Sequence, residues 1–330
     1  MSVKNESPSN EASTSSTQGR NLFSRKKKTQ IGLNAINIKS ARFTLIPVFV
    51  LLFVFLALPM LNSIKLSVSR WGGLGPLEPV GFDNYKFLFS DPQMRYSSRI
   101  TIFYAFSVAF LVVAIATLLA AAVSANVRGH KAMKIIWFFP GIAPPTAVAI
   151  FWSSSFQPES GVVNVILGKI GLGDDYAWLA SSDTALYPVI FVGVWSAVGF
   201  AFLVILGAVE QIPVSLREAA LVDGANVRQQ FTKITLPLIR PILMTIFTLQ
   251  IIWTFNGFDI IYALNGGMPG PDYATDVLGT LFYRTFFGWG ADLGNQNLGA
   301  ATATVIFLII LLGTAVYFAT VQRRLKVSQL

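Results

Sequence analysis

Residues 213–238 read PVSLREAALVDGANVRQQFTKITLPL and form a polar segment between two long apolar stretches. The flanking stretches, 185–208 and 239–263, are each long enough to cross a hydrocarbon core as a helix, which takes roughly 20 residues. Gly224 divides the polar segment near its middle. The segment therefore predicts a short helical hairpin held at the membrane face between two spans.

Four further stretches have the same apolar character. Of the 330 residues, 53% are hydrophobic and only 12% are charged, which argues against a water-soluble domain. A lone segment in lipid must satisfy its own backbone N–H and C=O groups, so each span is expected to be an α-helix. The sequence predicts an all-α polytopic membrane protein with six transmembrane helices, near residues 43–64, 100–125, 135–155, 185–208, 239–263 and 298–320.

The composition excludes several kinds of chemistry. The chain has no cysteine and one histidine, His130, which excludes thiol catalysis, disulfides and the common zinc or haem sites. No metal or cofactor is expected. The net charge is +9, but the basic residues lie beside apolar spans, where they would meet anionic membrane lipid and no nucleic acid. Gly168 and Lys169 lack the spacing and the hydroxyl of a phosphate-binding loop, so the chain is not expected to be an enzyme.

The charge distribution predicts an orientation. Residues 1–40 are rich in Ser, Asn, Thr and Lys and are expected to form a disordered cytoplasmic tail. The first apolar run is too long for a cleaved signal sequence and should remain as an anchor within a domain at 41–330. With the tail inside, 18 of the 25 Lys and Arg residues lie on the cytoplasmic side, as the positive-inside rule requires. Both termini and the loop at 209–238 are then cytoplasmic.

The polar loop carries helix start and stop signals. Ser215 and Glu218 have the spacing of a capping box, and Gly224 has the position of a left-handed helix stop. A second helical stretch is expected at 225–235, and Pro237 fits the first turn of the fifth span. The alternative is an amphipathic helix in the headgroup region, in which three basic residues contact lipid phosphates: Arg217, Arg228 and Lys233.

One spaced string in this loop is specific: Glu218-Ala219-Ala220, three residues, Gly224, nine residues, Ile234, one residue and Leu236-Pro237. It resembles the cytoplasmic signature of permease subunits of bacterial ATP-binding-cassette (ABC) importers. The resemblance implies that residues 215–224 are a coupling helix that docks in a groove of a separate ATPase subunit. The positions it assigns to coupling are Ser215, Glu218, Ala219, Ala220, Asp223, Gly224 and Pro237.

Two further stretches resemble the carbohydrate branch of these importers. Residues 80–89, VGFDNYKFLF, are similar to its extracellular stretch after the first span, and residues 265–269, NGGMP, to its turn after the fifth span, with Met268 interrupting Gly-Gly-Pro. The resemblance is to the maltose and glycerol-phosphate transporter type. It implies a type I ABC importer permease fold in the bacterial inner (plasma) membrane. The implied partners are a second homologous permease subunit, an extracellular solute-binding protein and a sugar substrate.

The fifth span contains the predicted substrate contacts. Asn256, Asp259 and Tyr262 recur at intervals of three and would share one face of a continuous helix. A carboxylate at membrane depth is costly unless it faces a partner or a watery cavity, so Asp259 is a functional candidate. Amides and carboxylates bind sugar hydroxyls, while aromatic rings such as Phe258 support the C–H faces. The predicted contacts are Asn256, Phe258, Asp259 and Tyr262, with Trp253 and Trp195 as further aromatic candidates.

Each of these interpretations has an alternative. Asp259 could instead lie near the outer interface and pair with Asn265 or a neighbouring helix, and Trp195 could fill the bundle core. The resembling maltose permease has two consecutive asparagines where this chain has Asn256-Gly257, so maltose itself is not implied.

Two other regions allow both a structural and a functional interpretation. Pro140-Gly141 and Pro144-Pro145 predict a kink or break in the third span, which either lines a transport cavity or serves packing. The external loop 265–296 is either a landing surface for the solute-binding protein or an ordinary exposed loop.

Three other functions remain alternatives to a sugar importer subunit. An ABC permease could carry a non-sugar solute. An ion- or proton-coupled secondary transporter needs a relay of buried ionisable residues, for which only Asp259 qualifies. A membrane enzyme needs convergent nucleophile, base or metal-ligand groups, and the sequence suggests none.

Overall fold

The computed structural model describes residues 45–125, 127–290 and 293–319. The predicted tail at 1–40, the start of the first span, the end of the sixth span and the basic residues after 320 lie outside this part. The chain divides into two units, Met1–Asn62 and Ser63–Leu330.

The described chain begins with the first predicted span. Helix α1 runs over Leu45–Ser67 and contains a π-helical turn at Phe53–Ala57. A short antiparallel hairpin follows, in which β1 (Ser69–Arg70) pairs with β2 (Glu78–Pro79).

The remaining described elements are almost entirely helical. The helices are α2 (Asp83–Ser90), α3 (Pro92–Ser124), α4 (His130–Phe138), α5 (Pro145–Ser155), α6 (Val162–Lys169), α7 (Leu186–Glu210), α8 (Val214–Val222), α9 (Val227–Gln230), α10 (Leu236–Asn256), α11 (Asp259–Leu264), α12 (Leu278–Phe287) and α13 (Gln296–Tyr317). Short 3₁₀ turns lie at Phe139–Gly141 and Pro271–Tyr273, and a π-helical turn joins α9 to α10 at Phe231–Thr235.

Helices α3 and α7 form the central packed pair of the second unit. Helix α3 starts cleanly because Pro92 needs no N–H in the first turn and the Asp91 side chain accepts a hydrogen bond from the Gln93 backbone N–H at 2.8 Å. Small residues on the buried side of α3 allow close packing without bulky side chains. They recur every three to four residues: Ala105, Ala109, Val112, Ala116 and Ala120.

The third span is broken, as its prolines predict. The helical stretches His130–Gly141 and Pro145–Ser155 meet at an angle of 97°. Proline removes backbone donors and clashes with the preceding turn, so a straight helix cannot pass through this sequence. Gly199 of α7 allows the first half of the third span to pack closely against α7, because a Cβ there would collide with the Trp137 carbonyl oxygen.

The fifth span is also broken, and here the prediction of one helix over 239–263 is wrong. Helix α10 ends at Asn256, and Gly257 is extended with φ −82° and ψ 106°. A new helix, α11, begins at Asp259. Glycine is the poorest helix former after proline, so a single residue ends the helix within an otherwise apolar stretch.

The spans together confirm a helical, multi-pass membrane fold. In the part of the chain that the structure describes, five helices are long and apolar enough to cross a membrane, and the bent pair of the third span brings the number to six.

Candidate functional site

The polar loop forms the predicted short helix, but it starts differently. Helix α8 begins at Val214 with Pro213 at the N-cap position and no side-chain cap, so the predicted Ser215–Glu218 capping box is wrong. Pro213 already has extended backbone angles, φ −53° and ψ 131°, which places Ser215 inside the first turn. The capping box lies one helix later, where Asn226 and Gln229 exchange two 2.9 Å hydrogen bonds at the start of α9.

Gly224 ends α8 in the predicted left-handed conformation. Its φ is +76°, and its N–H donates to the Leu221 carbonyl at 3.0 Å. The next N–H, of Ala225, reaches back to the Ala220 carbonyl at 2.9 Å. This hydrogen-bond pattern closes the helix, and only glycine adopts the required angles without strain.

The residues assigned to coupling lie mostly on the surface of this hairpin. Ser215, Glu218, Ala219, Asp223, Gly224 and Pro237 are exposed, whereas Ala220 is buried. Large apolar side chains are exposed on the same hairpin, and Val222 is 88% exposed. Several exposed large apolar side chains on one short hairpin are typical of a contact with a protein or a membrane.

One residue of α8 joins the hairpin to the central helix pair. The Arg217 guanidinium donates to the Ser124 carbonyl at 3.4 Å. Ser124 is the last residue of α3, where unpaired carbonyls attract a cation. This contact uses one of the five N–H donors of Arg217 and leaves the others available for a lipid phosphate or another protein.

A cavity of about 340 Å³ lies where the two broken spans meet α3 and α7. Pro140, Gly141 and Pro145 line it from the third span, and Gly257 lines it from the fifth. Its polar and aromatic lining groups include Tyr104, Ser196, Gln250, Trp253 and Asp259.

The predicted substrate contacts separate into two groups. Asp259 and Trp253 line this cavity, but Asn256, Phe258 and Tyr262 are not among its lining residues. The expectation that Asn256, Asp259 and Tyr262 share one helical face is wrong, because the helix ends at Asn256. The Asn256 side chain donates to the Ile252 carbonyl of its own helix at 3.1 Å.

Phe258 and Tyr262 belong instead to an aromatic cluster with α12. The Phe258 ring stacks on Tyr283 at 5.3 Å between centroids, and Tyr262 lies 4.9 Å from the same ring. Gly279 of α12 permits this approach, because a Cβ there would lie 2.9 Å from the Phe258 Cβ. These rings lie beside α11 and α12 and are not among the residues that line the cavity.

The structure also bears on the alternative interpretations of Asp259 and Trp195. Asn265 donates to the Ile261 carbonyl at 3.1 Å and to the Thr275 hydroxyl at 2.9 Å, and no hydrogen bond joins it to Asp259 within the described chain. Trp195 packs edge-on against Trp152 at 5.4 Å and is partly buried against the hydrophobic core.

Two polar groups were missed by sequence reasoning. Gln250 of α10 is 2% exposed and lines the cavity, and its amide nitrogen has no hydrogen-bond partner among the described residues. Its signal was an amide within the apolar stretch 246–253. Asp276 is fully buried, and four side chains donate to its carboxylate: Arg284 at 2.9 Å, Ser97 at 3.0 Å, Gln93 at 3.0 Å and Thr280 at 2.8 Å.

A multi-pass helical protein with a cavity between broken spans and an exposed hairpin is a transport permease in architecture. The sequence profile of the family described as "Binding-protein-dependent transport system inner membrane component" matches residues 40–327, and the chain belongs to this family. The resemblance drawn from the loop motif is thereby confirmed.

Two curated relatives have similar length. The trehalose/maltose transport system permease protein MalF of Thermococcus litoralis is 30% identical over 274 residues, covering 83% of this chain and 90% of the relative. The sn-glycerol-3-phosphate transport system permease protein UgpA of Yersinia pestis bv. Antiqua is 30% identical over 285 residues, covering 85% and 93%.

Two solved structures are similar in fold. A bacterial ABC transporter involved in the import of the acidic polysaccharide alginate contains a chain that is 26% identical, with a TM-score of 0.72, covering 88% of this chain and 99% of that chain. The alginate transporter in complex with its pentasaccharide-bound periplasmic protein gives 25% identity and a TM-score of 0.68, covering 90% and 96%.

Proposed function

We propose that this chain is the permease subunit of an ATP-driven, binding-protein-dependent carbohydrate importer and forms part of the sugar path. Family membership over 40–327 carries this proposal. The relatives named for trehalose/maltose transport and alginate import support a carbohydrate as the solute. The relative named for glycerol 3-phosphate keeps a small polar non-sugar solute as the competing assignment.

The cavity at the broken spans is the proposed passage. Backbone irregularity at membrane depth is tolerated where it lines a water-filled cavity, and both breaks lie at this one. Asp259 offers a carboxylate to sugar hydroxyls, and the Trp253 ring offers an apolar face. Asn256, Phe258 and Tyr262 are proposed to act nearer the outer mouth of the path, where the aromatic cluster lies.

The hairpin at 209–238 is proposed to couple this path to a separate ATPase subunit. The hairpin exposes apolar side chains, and between them lie the exposed residues Ser215, Glu218, Ala219 and Asp223. This mixed surface suits docking in a groove of another protein. Gly224 forms the turn between α8 and α9, Pro237 lies in the first turn of α10, and Ala220 is buried. The Arg217 contact to the end of α3 is proposed to carry motion of the hairpin into α3, whose Tyr104 lines the cavity wall.

The opposite face is proposed to receive a solute-binding protein. The alginate transporter has been solved with its periplasmic protein bound. In this chain the loop 265–296 is held by the buried Asp276 network, which gives a docking protein a firm surface. A second permease subunit would complete the path. The tail at 1–40 and both termini would lie in the cytoplasm, with the permease domain at 41–330.

The absence of cysteine in the 330-residue chain allows a direct test. Single cysteines replace Val222, which is 88% exposed on α8, and Leu74, which is 93% exposed in the hairpin after α1. Each variant is expressed in cells with the complete importer. The Val222→Cys protein should cross-link to the ATPase and resist a membrane-impermeant thiol reagent added outside.

The Leu74→Cys protein is the matched control with the opposite expected behaviour. It should react with the external reagent and give no ATPase adduct. Both variants should retain uptake of labelled sugar. External labelling of Val222→Cys would overturn the orientation, and uptake that persists without any ATPase would overturn the assignment as an ABC importer subunit.

A further inference from the structure

The wall of the cavity lacks the excess of basic residues that the chain as a whole carries. The protein carries +9 overall, yet none of the described cavity-lining residues is Lys, Arg or His. The only carboxylate side chain on its described wall is Asp259. An anionic solute in this space would therefore face a like charge and find no cation from this subunit to offset it.

A helix N-terminus could in principle replace a cation, and two helices start beside this cavity. Helix α11 is only six residues long and carries the Asp259 carboxylate in its own first turn, so its positive end already faces a negative charge. The start of α5 is also poorly suited. Helix α5 starts at the cavity with Pro145 as its first residue and Pro144 as its N-cap. Neither proline has an N–H to donate. The next two residues, Thr146 and Ala147, are not among the lining residues. The α5 terminus therefore presents no row of N–H donors to the cavity.

Gln250 supplies the complementary observation. Its side chain is buried, with 2% exposure, reaches the cavity wall, and keeps an amide nitrogen without a partner among the described residues. A buried amide that lacks a partner is destabilising, so such groups are usually satisfied. The backbone around it is ordered, because Thr254 donates to the Gln250 carbonyl at 2.7 Å.

Tyr104 provides a second polar group on the cavity wall, a phenol hydroxyl. Tyr104 of α3 is buried, and its hydroxyl lies so close to Gly193 of α7 that a Cβ there would be 2.7 Å away. The amide of Gln250, the phenol of Tyr104 and the carboxylate of Asp259 therefore provide both donors and acceptors around one space. Neutral hydroxyl groups, which donate and accept, match this set better than phosphate or carboxylate, which only accept.

We propose that this cavity selects an uncharged, polyhydroxylated solute and rejects anionic sugars and phosphate esters, with Gln250 as a specificity-determining residue that donates to a solute hydroxyl. This inference rests on the proposed function. It separates this chain from what the names of its relatives say of glycerol 3-phosphate and of acidic alginate.

The test measures binding to the complete importer, with both permease subunits and the ATPase, in lipid nanodiscs without the solute-binding protein. The probes are two pairs that differ chiefly in charge: maltose with maltobionate, and glycerol with glycerol 3-phosphate. A neutral member should bind at least about tenfold more tightly than its anionic counterpart, because a like charge a few ångströms away in a partly wet site costs about this much affinity or more.

Variants of Gln250 test its role separately. Gln250→Met keeps the side-chain length and removes the unpaired amide, so the protein should insert normally. It should bind the neutral probe about 2- to 10-fold more weakly, the loss of one neutral hydrogen bond. Gln157→Met is the matched control, since Gln157 is exposed and lies outside the cavity, and its binding should be unchanged.

The outcomes distinguish this inference from the proposed function. Equal or tighter binding of an anionic probe would overturn the selection for neutral solutes, while leaving an ABC importer subunit intact. Unchanged affinity in Gln250→Met would overturn the role of Gln250. If no probe binds and no sugar stimulates the ATPase in the presence of the solute-binding protein, both the inference and the assignment to carbohydrates fail.

Discussion

Replacing Asp276 with asparagine tests how strongly the buried network around its carboxylate stabilises the loop at 265–296. The Asp276 carboxylate is fully buried and accepts hydrogen bonds from Arg284, Ser97, Gln93 and Thr280. Asparagine keeps the size but replaces one acceptor oxygen with an amino group, so at least one donor loses its partner and Arg284 loses its counterion. Breaking a buried ion pair from one side costs about 3–5 kcal/mol.

The assay is a thermal melt of the purified protein in detergent. We expect the melting temperature of Asp276→Asn to fall by roughly 5–15 °C. Asp83→Asn is the matched control, because Asp83 pairs with Lys86 at 2.8 Å on the exposed surface, where both side chains are more than half exposed. An exposed pair of this kind contributes little, so the control should melt like the native protein.

A double variant separates the charge from the hydrogen bonds. Adding Arg284→Met to Asp276→Asn removes the unpaired cation and should recover part of the lost stability. Equal melting temperatures for Asp276→Asn, Asp83→Asn and the native protein would refute the reasoning, since the network would then contribute nothing to holding the loop.

Two further substitutions test the coupling hairpin and the cavity. Gly224→Val forces a β-branched residue to a φ of +76°, which costs about 1–2 kcal/mol or more, and it should uncouple ATP hydrolysis from sugar uptake. Gly207→Ala, in an open helical position, is the control and should preserve coupling. Normal uptake by the valine variant would contradict the role of the turn. Asp259→Ala should reduce sugar uptake in cells about tenfold, as expected for the loss of hydrogen bonds to a charged group. Asn256→Ala should reduce uptake less, because Asn256 does not line the cavity. A larger loss of uptake for Asn256→Ala than for Asp259→Ala would place the binding site at the Asn256 end of α10 instead.

The sequence was sufficient for the features that average over many residues. Spans of about 20 apolar residues are found by hydropathy, because every residue contributes to the sum. The break in the third span was predicted because four prolines and glycines lie close together, at 140–145. The left-handed turn at Gly224 was predicted because only glycine tolerates that conformation at the end of α8.

Features that depend on one residue or on distant partners were not predictable in the same way. Gly257 divides the fifth span, although the hydropathy of the stretch barely changes at one glycine. Ser215 and Asn226 each begin a sequence that fits a capping box. Pro213 takes the N-cap position of α8, which leaves Ser215 inside the first turn, whereas Asn226 does cap α9. The unpaired amide of Gln250 is visible only once its neighbours in space are known.

The two broken spans give the cavity a property that continuous helices would lack. Where a helix stops, several backbone carbonyls or amides lose their partners in the next turn, and at this depth water is the nearest substitute. The breaks beside Pro140 and Gly257 both lie on the cavity wall. We therefore expect the proposed passage to be hydrated before a solute arrives, so that an entering molecule exchanges its own hydration shell for bound water and protein groups already in place.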